Sequence, residues 1–80
     1  MSIRDEAVQI LCRKAEDLFG AKAEDLSENT RFDEDLHCKS TNIVQFSAAL
    51  EDEVDIEVPF KELKKKKTFG EAAEWVEGQF

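Results

Sequence analysis

The segment FDEDLHCKSTNIVQFSAALEDEVDIEVP, residues 32–59, divides into two parts. Up to Lys39 it is polar and loop-like. From Ser40 onward apolar residues recur at helical spacing: Ile43, Phe46 with Ser47, Leu50 and Val54. That period predicts a helix over about residues 40–54. Ser40 therefore stands where a loop turns into a helix. The first N–H groups of a helix have no partner within it and point outward. A hydroxyl there is exposed, beside a favourable place for a phosphate. Spacing alone also fits Ser40 as an ordinary helix N-cap. Asp55 falls where the helix must stop, and Asp tolerates the left-handed conformation better than most residues. Ile56 to Val58 alternates like a strand, but Pro59 and the lack of a partner strand make it an extended connector.

Upstream, Ser2 is placed to cap a helix beginning at Ile3, with Asp5 and Glu6 in its favourable first turn. Ile3, Ala7, Ile10, Leu11, Ala15 and Leu18 share one face of that helix, and Gly20 reads as the residue after its end. Ala21 to Lys39 is a long connection in which Leu26, Phe32 and Leu36 are spaced apolar anchors. Downstream, Phe60 and Leu63 anchor one short turn of helix before the basic run Lys64 to Lys67. Thr68 opens a last helix, with Glu71 placed for a capping box. Phe69, Ala72, Ala73, Val76 and Phe80 make its apolar face, flanked by Trp75 as a half-buried core residue. The expected fold is all-α: a small four-helix bundle, with a long loop between helices one and two and a short third helix. Residues 1–80 read as a single domain, since no repeat or boundary interrupts them.

Eighty residues allow only a thin core. A net charge of −8 argues against nucleic acid as a partner and favours basic surfaces met in fast, steered encounters. No apolar run is long enough to cross a membrane. The first residues are acidic and lack the apolar segment of a signal peptide, so a cytoplasmic location is expected. Two cysteines, Cys12 and Cys38, and one histidine make neither a disulfide scaffold nor a zinc site. Cys12 reads as a small buried apolar residue and Cys38 as a loop thiol. Ser40, His37 and Asp35 contain the residue types of a hydrolytic triad, but their close spacing on one loop seldom gives the geometry. No catalytic function is expected.

The order of these features resembles the acyl carrier protein family across nearly the whole chain. The resemblance rests on Phe32-Asp33-Glu34-Asp35-Leu36, on Ser40 at its distance beyond them, and on Leu50-Glu51-Asp52-Glu53-Val54-Asp55-Ile56-Glu57-Val58-Pro59. It implies that Ser40 is the attachment point of a covalent 4′-phosphopantetheine arm, whose thiol carries an acyl or aminoacyl group as a thioester. It also implies a monomeric carrier. Its partners would be a phosphopantetheinyl transferase and the enzymes of fatty-acid, polyketide or related biosynthesis. On this reading Glu51, Asp52 and Glu53 dock partners, while Lys39 and Thr41 set partner choice. Alanines expected to face the core, namely Ala48, Ala49, Ala72 and Ala73, would leave room for a short acyl chain.

The departures from the family pattern are local. His37-Cys38-Lys39-Ser40-Thr41 stands where the family typically has Gly-Ala-Asp-Ser-Leu, so the charge beside Ser40 is reversed. Asn42 and Gln45 are neutral where the family is acidic. Lys66 stands at a position that is apolar in the family, with Leu63 expected to supply the core contact. The Lys64 to Lys67 run reads either as a solvated basic surface or as a partner-specific contact. These departures leave a second reading open, a carrier-like interaction module that is never modified.

Overall fold

A computed structural model describes residues 2–80. Helix α1 spans Ile3–Phe19, α2 Ser40–Val54, α3 Phe60–Lys64 and α4 Phe69–Glu77. α1 packs against both α2 and α4, and α3 packs against α2. The expected all-α arrangement, with its long first loop and short third helix, is the observed one.

Local sequence rules account for most of the helix ends. The Ser2 hydroxyl accepts from the Asp5 N–H at 3.0 Å, and the Thr68 hydroxyl from the Glu71 N–H at 3.1 Å. Each satisfies one donor that the helix leaves open. Gly20 ends α1 with φ 66°, and Asp55 ends α2 with φ 55°. Ile56 to Pro59 carries no strand, as expected of a connector.

The long loop is pinned from inside. Phe32 is buried, and its ring centroid lies 5.4 Å from that of Phe46 in α2 and 5.0 Å from that of Phe69 in α4. Such an aromatic cluster adds about 0.5–1.5 kcal/mol per pair beyond its buried area. Leu26 and Leu36 pack more shallowly against the same core. Backbone bonds finish the attachment: Phe32 N–H donates to Lys67 O at 3.1 Å, Phe69 N–H to Thr30 O at 3.0 Å, and Gly70 N–H to Glu28 O at 2.8 Å. The last approach favours glycine, because a Cβ at position 70 would sit a tight 3.0 Å from Glu28 O and push that backbone away. A single 3-10 turn at Ala23–Asp25 breaks the loop, and the sequence reading did not anticipate it.

Two packing expectations are corrected. Ala48 is exposed, because it lies off the stripe formed by Ile43, Phe46, Ser47 and Leu50. Ala72 and Ala73 face the core as expected and are fully buried. Phe80 lies past the end of α4 and is 67% exposed, so the apolar face of that helix stops at Val76. Trp75 is half-buried, as expected, and Leu63 is in the core.

Candidate functional site

Ser40 is the first residue of α2, not its cap. Lys39 occupies the N-cap position with an extended backbone, and its C=O accepts from Ile43 N–H at 3.1 Å. Cap preferences favour Ser over Lys, but the preceding loop decides the matter here. Cys38 N–H closes back onto Phe32 O at 2.9 Å, and the Asn42 side chain accepts from Lys39 N–H at 2.9 Å. Those two bonds hold the chain extended through Lys39. A lysine has no acceptor to offer in return, so only half of a capping box forms.

The Ser40 hydroxyl is consequently free. It is exposed and takes part in no hydrogen bond among the described residues. No acidic residue occupies the first turn of α2, so the positive end of the helix is not neutralised. The Asn42 Nδ2 group donates to Gln45 Oε1 at 3.2 Å along the same turn. Thr41 is exposed beside Ser40.

Ser40 opens onto a cleft of about 620 Å³ between the loop, α2 and α3. Phe32, Ile43 and Phe60 supply apolar lining. Across the cleft stands the Lys64 to Lys67 run, 24 or more residues away in sequence. Ala48, Ala49, Ala72 and Ala73 are not part of the lining of this cleft.

The remaining expected docking residues separate on the surface of α2. At 3.6 residues per turn, Glu51 lies about three turns beyond Ser40 on the same line, while Asp52 is about a third of a turn off it. Glu53 points nearly the opposite way, toward a shallow groove shared with Arg13 and Lys14 of α1. Glu51 also has an internal task, since its carboxylate accepts the Val58 N–H at 2.8 Å and holds the connector after α2. Val44 was missed by the sequence reading. It is 51% exposed, one turn from Ser40 on the same line, and off the core stripe. An apolar residue four positions after Ser40 was the available signal.

No hydrogen bond links Ser40, His37 and Asp35 among the described residues. The Asp35 carboxylate instead accepts from Arg31 N–H at 2.8 Å. His37 is exposed with φ 52°, the left-handed conformation that the family's glycine adopts freely. Cys38 lines the cleft, and burial, assisted by the charge of Asp33, pushes its thiol up to about 11. Burial also raises the Cys12 thiol, with a smaller push from Glu16. No group of acidic, Cys or His residues able to hold a metal occurs among the described residues, and no helix there is long and apolar enough to cross a membrane.

Comparison with known proteins agrees with this geometry. The family model for the phosphopantetheine attachment site matches residues 9–76. An acyl carrier protein of Lactobacillus acidophilus is 38% identical over 60 residues, covering 75% of each chain. The cofactor of the family is 4′-phosphopantetheine, held covalently through a phosphodiester. The surroundings of Ser40 fit such a group: a free hydroxyl, an unneutralised helix end and the cation of Lys39 next to it. With its match spanning most of the residues from α1 through α4, this chain belongs to the phosphopantetheine-attachment family, the family of the acyl carrier proteins.

Proposed function

We propose that Ser40 is the attachment residue and that residues 1–80 act as one carrier domain. The position of Ser40 carries this reading: an exposed, unpartnered hydroxyl at the first residue of α2, within the family match. Attachment proceeds by attack of Ser40 Oγ on the pyrophosphate of coenzyme A. A phosphodiester forms, adenosine 3′,5′-bisphosphate leaves, and the hydroxyl proton passes to a base on the transferase. Once in place, the arm supplies a thiol that holds an acyl or aminoacyl group as a thioester. The chain itself performs no catalysis on this account. Its residues present the arm and admit partners, in fatty-acid, polyketide or related biosynthesis.

Docking is assigned to the line Ser40, Val44, Glu51, with Asp52 flanking its distal end, Glu53 turned toward the groove shared with α1, and Lys39 and Thr41 beside the attachment point. Val44 offers an apolar contact at the centre of an otherwise polar stripe, a common arrangement in transient interfaces. The carrier is expected to be monomeric and cytoplasmic, beside coenzyme A, the donor of its arm. Lys39 favours one competing reading, an unmodified interaction module, because it reverses the charge a basic transferase would meet.

Co-expression with a broad-specificity phosphopantetheinyl transferase, followed by intact mass spectrometry, separates the two. The carrier reading predicts gain of one phosphopantetheine, abolished by Ser40→Ala. No gain with several transferases, or a gain that survives Ser40→Ala, would overturn it.

A further inference from the structure

The cleft beside Ser40 differs electrically from the rest of the molecule. The chain carries a net charge of −8, yet six basic and three acidic side chains line this one cleft. Two of the basic groups are already paired: Arg31 with Glu34 and Asp35, and Lys65 with Glu62 at 3.9 Å. Lys39, Lys64, Lys66 and Lys67 form no ion pair among the described residues. On the acidic side Glu34 is committed to Arg31, and Asp33 and Glu71 are the two acidic lining residues without an ion pair among the described residues. Lys64 lies over the Phe60 ring, its Nζ 5.8 Å from the centroid, which steers that side chain along the apolar wall.

Lys66 is the member of the run that is partly buried. Its position follows from Leu63: Lys66 N–H donates to Leu63 O at 3.0 Å, and Leu63 is in the core. The Lys66 ammonium forms no ion pair among the described residues and so is open to an arriving anion. The cleft therefore combines two features: an apolar stretch from Phe32, Ile43 and Phe60, and a cationic wall facing Ser40 across it. Its volume falls in the range of about 300–1,000 Å³ usual for small-molecule sites.

We infer that this cleft receives the end of the carried group and selects groups that terminate in a carboxylate. The hydrocarbon part lies against Phe60 and Ile43, and the terminal carboxylate meets Lys66 and Lys67. Lys39, adjacent to Ser40 in the chain, is left to the phosphodiester of the arm. The inference rests on Ser40 as the attachment point. No bond is made or broken in the docking.

The test loads Ser40 with amide-linked pantetheine analogues bearing either adipoyl or its isosteric monoamide, which differ at the far end only in charge. Loading is confirmed by mass, and backbone amide NMR shifts are read at residues 60–67 and at Ile43. The adipoyl form should shift these amides more than the monoamide, with a docked population about threefold or more higher at low salt. The difference should shrink as salt rises and vanish in Lys66→Gln/Lys67→Gln, whose unloaded melting temperature checks the fold. Equal shifts from acid and monoamide in the wild-type chain would overturn the inference, and would show that only the phosphodiester is read. Failure of Ser40 to load at all would overturn the attachment reading, and this one with it.

Discussion

Lys39→Asp places a carboxylate at the N-cap of α2, where the native side chain makes no capping bond. The backbone there already has the extended geometry of a cap, φ −93° and ψ 170°, so no rearrangement is required. An Asp side chain can accept from the N–H of Thr41 or Asn42, which contributes about 1 kcal/mol. Removing a cation from the positive end of the helix and adding an anion contributes about 0.3–1 kcal/mol more. The net stabilisation should be about 1–2 kcal/mol, and each kcal/mol raises the melting temperature of a domain this size by about 4–8 °C. Urea titration at neutral pH measures it, with Lys39→Ala separating loss of the cation from gain of the cap. A capping carboxylate titrates lower folded than unfolded, so the gain is present above the unfolded value near pH 4 and is lost as pH falls below it. Attachment of the arm supplies an anion at the same helix end, so loading should stabilise the wild type more than Lys39→Asp. The variant should also be modified severalfold faster by a general-purpose transferase at low salt, with the advantage fading as salt rises. Equal urea midpoints for the wild type, Lys39→Ala and Lys39→Asp would refute the description of this helix end. Equal modification rates at low salt would refute a charge-based role for Lys39.

Ser47 is 5% exposed and its hydroxyl has no partner, so Ser47→Ala should stabilise the fold by about 1–2 kcal/mol, measured by urea titration. His37 holds φ 52°, and His37→Gly should relieve about 1 kcal/mol of strain, partly offset by the freedom glycine adds to the unfolded chain; a lower urea midpoint would contradict this. With its thiol at about 11, Cys38 is about one-thousandth thiolate at pH 8. Its alkylation in the unloaded protein, followed by peptide mapping, should be at least about a hundredfold slower than that of free cysteine, and rise about tenfold per pH unit until pH nears 11.

What the sequence disclosed was decided by neighbours along the chain. Ser2, Gly20, Asp55 and Thr68 end helices through bonds or dihedral angles spanning a few residues, so their roles were readable by position. Phe32 was recognisable as a loop anchor because an apolar ring in a polar stretch has to be buried. The features that were hidden depend on contacts remote in sequence. Nothing local says that Lys66 and Lys67 face Ser40, because the docking of the loop against α4 through Phe32, Thr30 and Phe69 brings them together. Nor does it say that Glu51 is engaged by Val58, seven residues on. Ser40 looked like a cap because Ser is a good one. The bond from Lys39 N–H to Asn42 helps place the cap at Lys39, and the Ser40 hydroxyl is left free.

The central claim is that this freed hydroxyl, and no other, bears the arm. Transferase-treated protein should be digested and its residue 32–59 region sequenced by fragmentation mass spectrometry, since Thr41 is also exposed and directly adjacent to Ser40. The account predicts a single phosphopantetheine on Ser40, with Thr41 and Ser47 unmodified. Modification at Thr41, or at any residue other than Ser40, would contradict it.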